Sequence, residues 1–551
     1  MEARKHAVGL AILILAALPV FGAEKALYQK LAEQYAPVLY QEARSFKLDQ
    51  VTRFDFDGDW NGANNWANAY LFPTPGYVYY AVIEADRHFF LYYSFFHSRD
   101  YTTRILESYA PKIEHENDME GMMLVIPKFV EKNPQPIYME TLAHDRFYKY
   151  VAEGRTVPIT ARLGKIDGYI TWDSDARSAV KSWHPAIFIE SEGHGVFDLK
   201  HRYSDAAEKF PGFVYRFARR GAEEPEEMGD MDISYALLPI SEQLWNRRME
   251  IGRDKTYCCA ERFDLKGNRS GRWGASFNGP IGGCAAKPPW GWDQRDDGTV
   301  AMGAWFLHPI AALEAHANIP DFSREYVDNP FYEGPADSSE AQGCQDSPAS
   351  ASRSVPQSAV ETVLGIGQVL LSGGLKQKNV GDKARGMFMK NMEFLEWSFQ
   401  PEMARWQFAD AASKPIFEAR AEEGRVYRTR LEISGTALLN SPPFSAPGRF
   451  YKELVIRYRI DQPMSFQLSW QYSGQTTFPG DQLTGAQELS PAAEWKILRI
   501  PLESLKNWQA TQEIGRIQLQ CKAVRQPVFL ELQYIVLDRV PLSETFRKEQ
   551  P

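Results

Sequence analysis

Strict alternation of apolar and polar residues in the C-terminal part of the chain leaves few folds open. ELVIRYRI, SFQLSWQY, WKILRIPL, GRIQLQCKA and VFLELQYIVL each keep a period of two. Side chains of a strand point to opposite faces in turn, so the pattern demands antiparallel sheets with one buried face each. Residues 404–545 are expected to form a jelly-roll-like β-sandwich.

The N-terminal half reads differently. YVYYAVIEA (77–85), HFFLYYSFF (88–96) and GMMLVIP (121–127) are nearly continuous apolar runs, followed by PITARLG, GYITWD and PAIFIESEGHGVF. The 32 Phe, 26 Tyr and 14 Trp suit pleated surfaces. Short strands parted by Gly, Pro and Asp turns predict a second β-sandwich over residues 23–332, with loop and helical insertions. Residues 205–330 are less regular, and the Gly/Pro-rich, Trp-bearing stretch 279–298 reads as loops covering the sandwich. Residues 333–358 have the composition of a Ser/Pro-rich linker. Residues 359–403 then read as a helical connector. Val360, Val363, Leu364, Val369 and Leu370 fall near helical spacing without a basic face, which favours packing on a neighbouring domain over a membrane surface. The fold class is mainly β.

Arg4 and Lys5 followed by an apolar run ending at Phe21 predict a signal peptide over residues 1–22, hence a secreted, periplasmic or extracellular product. No later segment has the length and apolarity of a membrane-spanning helix. The net charge of −9 and the lack of a Lys/Arg-rich run exclude a nucleic-acid partner. Cys258, Cys259, Cys284, Cys344 and Cys521 make an odd set, so at least one thiol stays outside any internal disulfide; Cys258 or Cys259 with Cys284 is the pairing considered.

Chemistry concentrates between two strands. LYYSFFHSRD ends at Asp100, and EHENDMEGMMLVI brings His115, Asp118 and Glu120. Three carboxylates and one imidazole suit a hard divalent cation, and buried carboxylates that repel one another need a cation or hydrogen bonds to stay ionised. Asp118 and Glu120 are two apart and share a strand face. His115 has the opposite parity, so it is expected on the turn before the strand. Asp100 leaves the sheet at the same rim. The competing reading pairs Asp100 with Arg99 or Arg104 and leaves His115 to solvent. DFDGDWNGANN supplies a second candidate cation loop at Asp55, Asp57 and Asp59, but Trp60 and Trp66 break the EF-hand pattern and a tight Asx-rich turn explains it as well. His144-Asp145 could be a His oriented by the adjacent carboxylate, although neighbours in a strand rarely face each other; His184 and His308 read as loop or core residues.

The two blocks resemble the necrosis- and ethylene-inducing-peptide-like proteins, secreted cytolysins with a Y-S-W-Y-x-P-K-D strand end followed by G-H-R-H-D-W-E. YSFFHSRD and EHENDME keep the upstream Asp and the H-x-x-D-x-E frame. Asn117 replaces the second His, Met119 the Trp, and Ser98-Arg99 the Pro-Lys. The resemblance implies that Asp100, His115, Asp118 and Glu120 coordinate a divalent cation in a β-sandwich, in support of binding sphingolipid sugar head groups on a target membrane. SEGHG at 191–195 is similar to a His-Gly element near that site, which places His194 behind the ligands. The 404–545 unit is similar in architecture to carbohydrate-binding modules. Trp470 and Trp508 could stack on a sugar, although a core role suits either.

Three functions follow as expectations. The first is a cation-dependent binder of glycan or glycolipid head groups, cytolytic in the manner of the resembled family, with calcium or magnesium ahead of manganese or zinc. The second is a metal-dependent hydrolase or lyase acting on a polysaccharide or phosphoester, with His194 or Glu120 as catalytic base. The third is a calcium-stabilised envelope structural protein. No G-x-S-x-G, catalytic Cys-His pattern or phosphate loop is present.

Overall fold

The computed structural model describes residues 25–101, 114–128, 134–144, 146–173, 183–203, 210, 212–219, 221–248, 260–263, 269–273, 286–292, 295–296, 300–331, 396–398, 406–408, 415–420, 426–444, 446–448, 451–509, 512–524 and 527–539. The chain is mainly β. The expected signal peptide, the linker and most of the helical connector lie outside the described residues. Glu396–Ser398, inside the stretch read as a helical connector, is instead a strand paired to Val528–Arg539.

A 12-stranded sheet organises the N-terminal half. Its labelled strands are β1 (Val38–Glu42), β2 (Tyr77–Ala85), β3 (His88–Asp100), β4 (His115–Pro127), β5 (Tyr138–Ala143) and β6 (Arg146–Val151). β2 to β6 form an antiparallel meander. Both faces of β3 and β4 are covered, which explains their continuous apolar runs. Phe90, Tyr92, Phe96, Met123 and Val125 face a core shared with Trp290, Trp305 and the helices Met302–Leu307 and Pro309–His316. Leu91, Tyr93, Phe95, Met122, Leu124 and Ile126 face the other core. Trp290 and Trp292, from the stretch read as covering loops, are buried within the first core.

Two strands that the sequence does not announce sit mid-sheet. Gly212–Phe217 pairs with β1, and Ile233–Pro239 joins it to β2. Neither keeps a long period-two pattern, because each is short and Gly212–Phe217 pairs in parallel on one side, Ile233–Pro239 on both. The far end of the sheet, Ala186–Ile189 and Val196–Asp198, curls back until Val196–Asp198 lies against β4 and β5. That curl carries the 191–195 turn onto the β3–β4 rim.

The C-terminal half is a sandwich of two six-stranded antiparallel sheets. Leu454, Ile456, Ile535 and Leu537 meet Phe466, Leu468, Ile517 and Leu519 between them. Trp470 lies in this core with Trp508 packed edge-on at 5.6 Å. The opposite face is not free either: Val455, Tyr534 and Val536 join the core around β1 and β3. Arg99 is buried against Asp538 at 3.2 Å, Tyr534 donates to the Tyr70 carbonyl at 2.5 Å, and Glu224 binds both Lys47 and Arg457. Cys521 is a buried free thiol, and the other cysteines lie outside the described residues. Among the described residues no helix is long and apolar enough to cross a membrane.

Candidate metal centre

The cup forms where β3 ends and β4 begins. Asp100 and His115 are direct cross-strand partners, as are His97 and Asp118. His115 is the first residue of β4 and is not on a preceding turn. Regular alternation would put His115 and Asp118, three apart, on opposite faces. Asn117 between them has φ 61°, a left-handed conformation that breaks the alternation. Ligand atoms of Asp100, His115 and Asp118 consequently lie within 4.8 Å of one another.

Asn117 is held there from behind. Its Nδ2 donates to the Gly62 carbonyl at 2.9 Å, and its Oδ1 accepts from Asn65 Nδ2 at 2.7 Å. A side chain at Gly62 would meet Phe54 at 2.8 Å and Asn117 Nδ2 at 3.0 Å, so only glycine lets the loop approach. The loop is the Asp55–Asp57–Asp59 segment. Its carboxylates cluster within 4.8 Å, yet they also accept from the Trp60 and Asn61 amides and from the Asn64 and Asn68 side chains. Burial raises the Asp55 and Asp57 carboxyls above their ordinary range. On this geometry the loop supports Asn117.

His194 reaches Asp118 directly: its Nδ1 lies 2.8 Å from Asp118 Oδ2, and its Nε2 lies 3.2 Å from Asp49 Oδ1. Both neighbours are acceptors when ionised, so the ring carries two protons. Burial opposes that charge, but the hydrogen bonds and fields of Asp118 and Asp49 hold the ring up to about 10. Asp49 is fixed in turn by the Arg44, Ser45 and Glu192 amides and the Tyr101 hydroxyl. The turn that delivers His194 is strained, with φ 74° at Glu192 and 51° at His194. At Gly195 a side chain would meet Ala143 Cβ at 2.9 Å.

The remaining electrostatics follow from burial and close carboxylates. His115 donates through Nδ1 to the Asn117 carbonyl at 2.8 Å and points Nε2 at Asp100 Oδ2, 3.3 Å away. Burial lowers its proton affinity, but Asp100 and Asp118 overcome this and raise it to about 9. Burial lifts Asp100 to about 6 despite His115. Asp118 is depressed: burial works against its charge, and the His194 hydrogen bond overrides it. Burial and the Asp118 charge push Glu120 well above the usual carboxylate range. Glu120 stands beside the triplet. Its Oε1 accepts from the His144 amide at 3.3 Å, and its Oε2 is buried without a partner among the described residues.

These residues fit a divalent cation. Among the described residues neither Asp100, Asp118 nor Glu120 pairs with Lys or Arg, and Arg99, expected as an alternative partner of Asp100, turns to Asp538. The His115 Nδ1 bond to a carbonyl is the arrangement that orients a ligating imidazole through its other nitrogen. The rim is partly open, with the Asp100 side chain 19% exposed. His144 and Glu190, 2.5 Å apart, border it, so the carboxylate that orients His144 is Glu190. Sequence reasoning missed His97, Asp49, Gln41 and Glu190. His97 alone had a signal, as the third residue before Asp100 on the same strand.

No protein-family model matches the chain, and no curated protein does. Similar solved structures include carbohydrate-binding modules. One is the family 11 module of Clostridium thermocellum with a β-1,3-1,4-mixed-linked tetrasaccharide (11% identity, 26% of this chain, 95% of that chain, TM-score 0.19). Another is a module of Clostridium stercorarium with cellobiose (11% identity, 27% of this chain, 95% of that chain, TM-score 0.18). The glycoside hydrolase domain of Endo-D from Streptococcus pneumoniae is also similar (10% identity, 24% of this chain, 20% of that chain, TM-score 0.19). Scores this low carry no argument about what this chain does. The class that fold and site define is a mainly β protein with a buried Asp/His cup.

Proposed function

We propose that the protein is an exported, divalent-cation-dependent binder of glycan or glycolipid head groups. The observation that supports it is the Asp100–His115–Asp118 cup, with its ligand atoms within 4.8 Å and its rim partly open. A divalent cation there supplies a Lewis-acidic centre for sugar hydroxyls or anionic head groups. Asp100, His115 and Asp118 hold it, His194 and Asp49 fix Asp118, and Asn117 fixes His115. Glu120 lies beside the cup as a hydrogen-bonding group for a bound hydroxyl. The test is a glycan and lipid array probed with wild-type protein, with and without chelator, and with His115→Ala. Binding that survives both chelator and substitution contradicts the reading.

A metal-dependent hydrolase is the second reading. His194 does not suit it as a base, since both nitrogens are engaged and the ring is sealed from solvent. Glu120, whose carboxyl is pushed well above the usual carboxylate range by burial and the Asp118 charge, suits a general-acid role instead. Turnover of a polysaccharide panel that disappears in Glu120→Gln supports it; no turnover by wild type contradicts it.

A further inference from the structure

His97 is not one of the Asp100–His115–Asp118 triplet, although its side chain is fully buried directly across from Asp118. Its protonation is readable from hydrogen bonds alone. Gln41 Nε2 donates to the carbonyls of Glu42 at 2.8 Å and Glu190 at 3.3 Å. The other amide atom, Oε1, therefore faces His97 Nε2 at 2.9 Å as an acceptor. Nε2 carries the proton, and Nδ1 is left with a lone pair.

That lone pair has no partner among the described residues. A buried acceptor without a donor is costly. The ring cannot turn away, because it stacks on His194 at 3.7 Å with an interplanar angle of 3°. His97 stands directly across from Asp118, and ligand atoms of His97, Asp118 and His194 lie within 4.8 Å. Asp118 thus belongs to two clusters, one with Asp100 and His115 and one with His97 and His194.

We propose that His97 Nδ1 is a ligand of the cation held at Asp118, and that it makes the site selective for a borderline transition metal, zinc above calcium or magnesium. The inference rests on the reading that the cup binds a cation. A cation at Asp118 that draws on both clusters would meet the imidazoles of His97 and His115 and the carboxylates of Asp100 and Asp118, a mixed nitrogen and oxygen set; calcium and magnesium prefer oxygen alone.

Zinc and calcium are titrated separately into chelator-treated full-length wild type and His97→Asn, by calorimetry. Wild type should bind zinc about 100-fold or more tighter than calcium. His97→Asn should lose about 30-fold or more in zinc affinity while its calcium affinity stays within about threefold, a loss of the size ligand-shell changes produce. Equal zinc affinity in the two proteins overturns the role of His97 and leaves the cup intact. Binding of neither cation by wild type overturns the cup reading itself. X-ray absorption of zinc-loaded wild type needs no variant: two or more imidazoles are expected, and one contradicts the proposal.

Discussion

Asn117 carries His115 to the side of β4 that Asp118 occupies. With φ 61° it inverts the alternation between two residues three apart, and Gly62 and Asn65 hold it there. Asn117→Val removes both buried hydrogen bonds and puts a β-branched residue in the left-handed region. The expected cost is about 2–4 kcal/mol. Asn117→Gly keeps the backbone and should cost less. Urea unfolding of both variants checks the order, and cation titration should show a weaker cup in each.

Asp538 anchors the strand end that bears the cup. It pairs with Arg99, whose guanidinium also lies 4.4 Å from the Trp66 ring and donates to the Trp66 carbonyl. Asp538→Ala strands a buried cation, at about 3–5 kcal/mol. Adding Arg99→Met should recover part of that loss. A double variant no more stable than Asp538→Ala contradicts the pairing. The same contact predicts that removing residues 396–551 destabilises the N-terminal sheet, since Val455, Tyr534 and Val536 fill its core.

Glu224 gives stability an acid edge. Its carboxyl is buried, which opposes ionisation, but Lys47 and Arg457 win and hold it down at about 2, against an ordinary 4.5. A depressed carboxyl stabilises the fold above its unfolded value and loses that stabilisation as pH falls through the folded one. The contribution, about 3 kcal/mol, is therefore complete above about pH 5 and gone near pH 2. The stability difference between wild type and Glu224→Gln, from urea unfolding at each pH, should shrink over that window. A constant difference contradicts the assignment.

The strands at the cup were legible because β3 and β4 bury both faces and write that burial as unbroken apolar runs. The C-terminal sandwich was legible for the opposite reason, a buried face between its sheets and strict alternation. Gly212–Phe217 and Ile233–Pro239 were not, since short strands in parallel pairs carry neither signature. Asp100, His115 and Asp118 were legible as a cluster that the structure brings within 4.8 Å, but the position of His115 required the backbone of Asn117, which parity arguments assume to be regular. Asp49 lies in KLDQ, with no periodicity or motif; only the curl of the sheet brings it to His194.

The central claim is that Asp100, His115 and Asp118 hold a divalent cation on which ligand capture depends. The most direct measurement is calorimetric titration of chelator-treated protein with zinc and with calcium, for wild type and Asp118→Ala, with melting recorded at saturation. Wild type should bind one cation and gain about 2.7 kcal/mol of stability at a concentration 100 times the dissociation constant. Asp118→Ala should do neither. A wild-type protein with no heat of binding and an unchanged melting temperature would contradict the account.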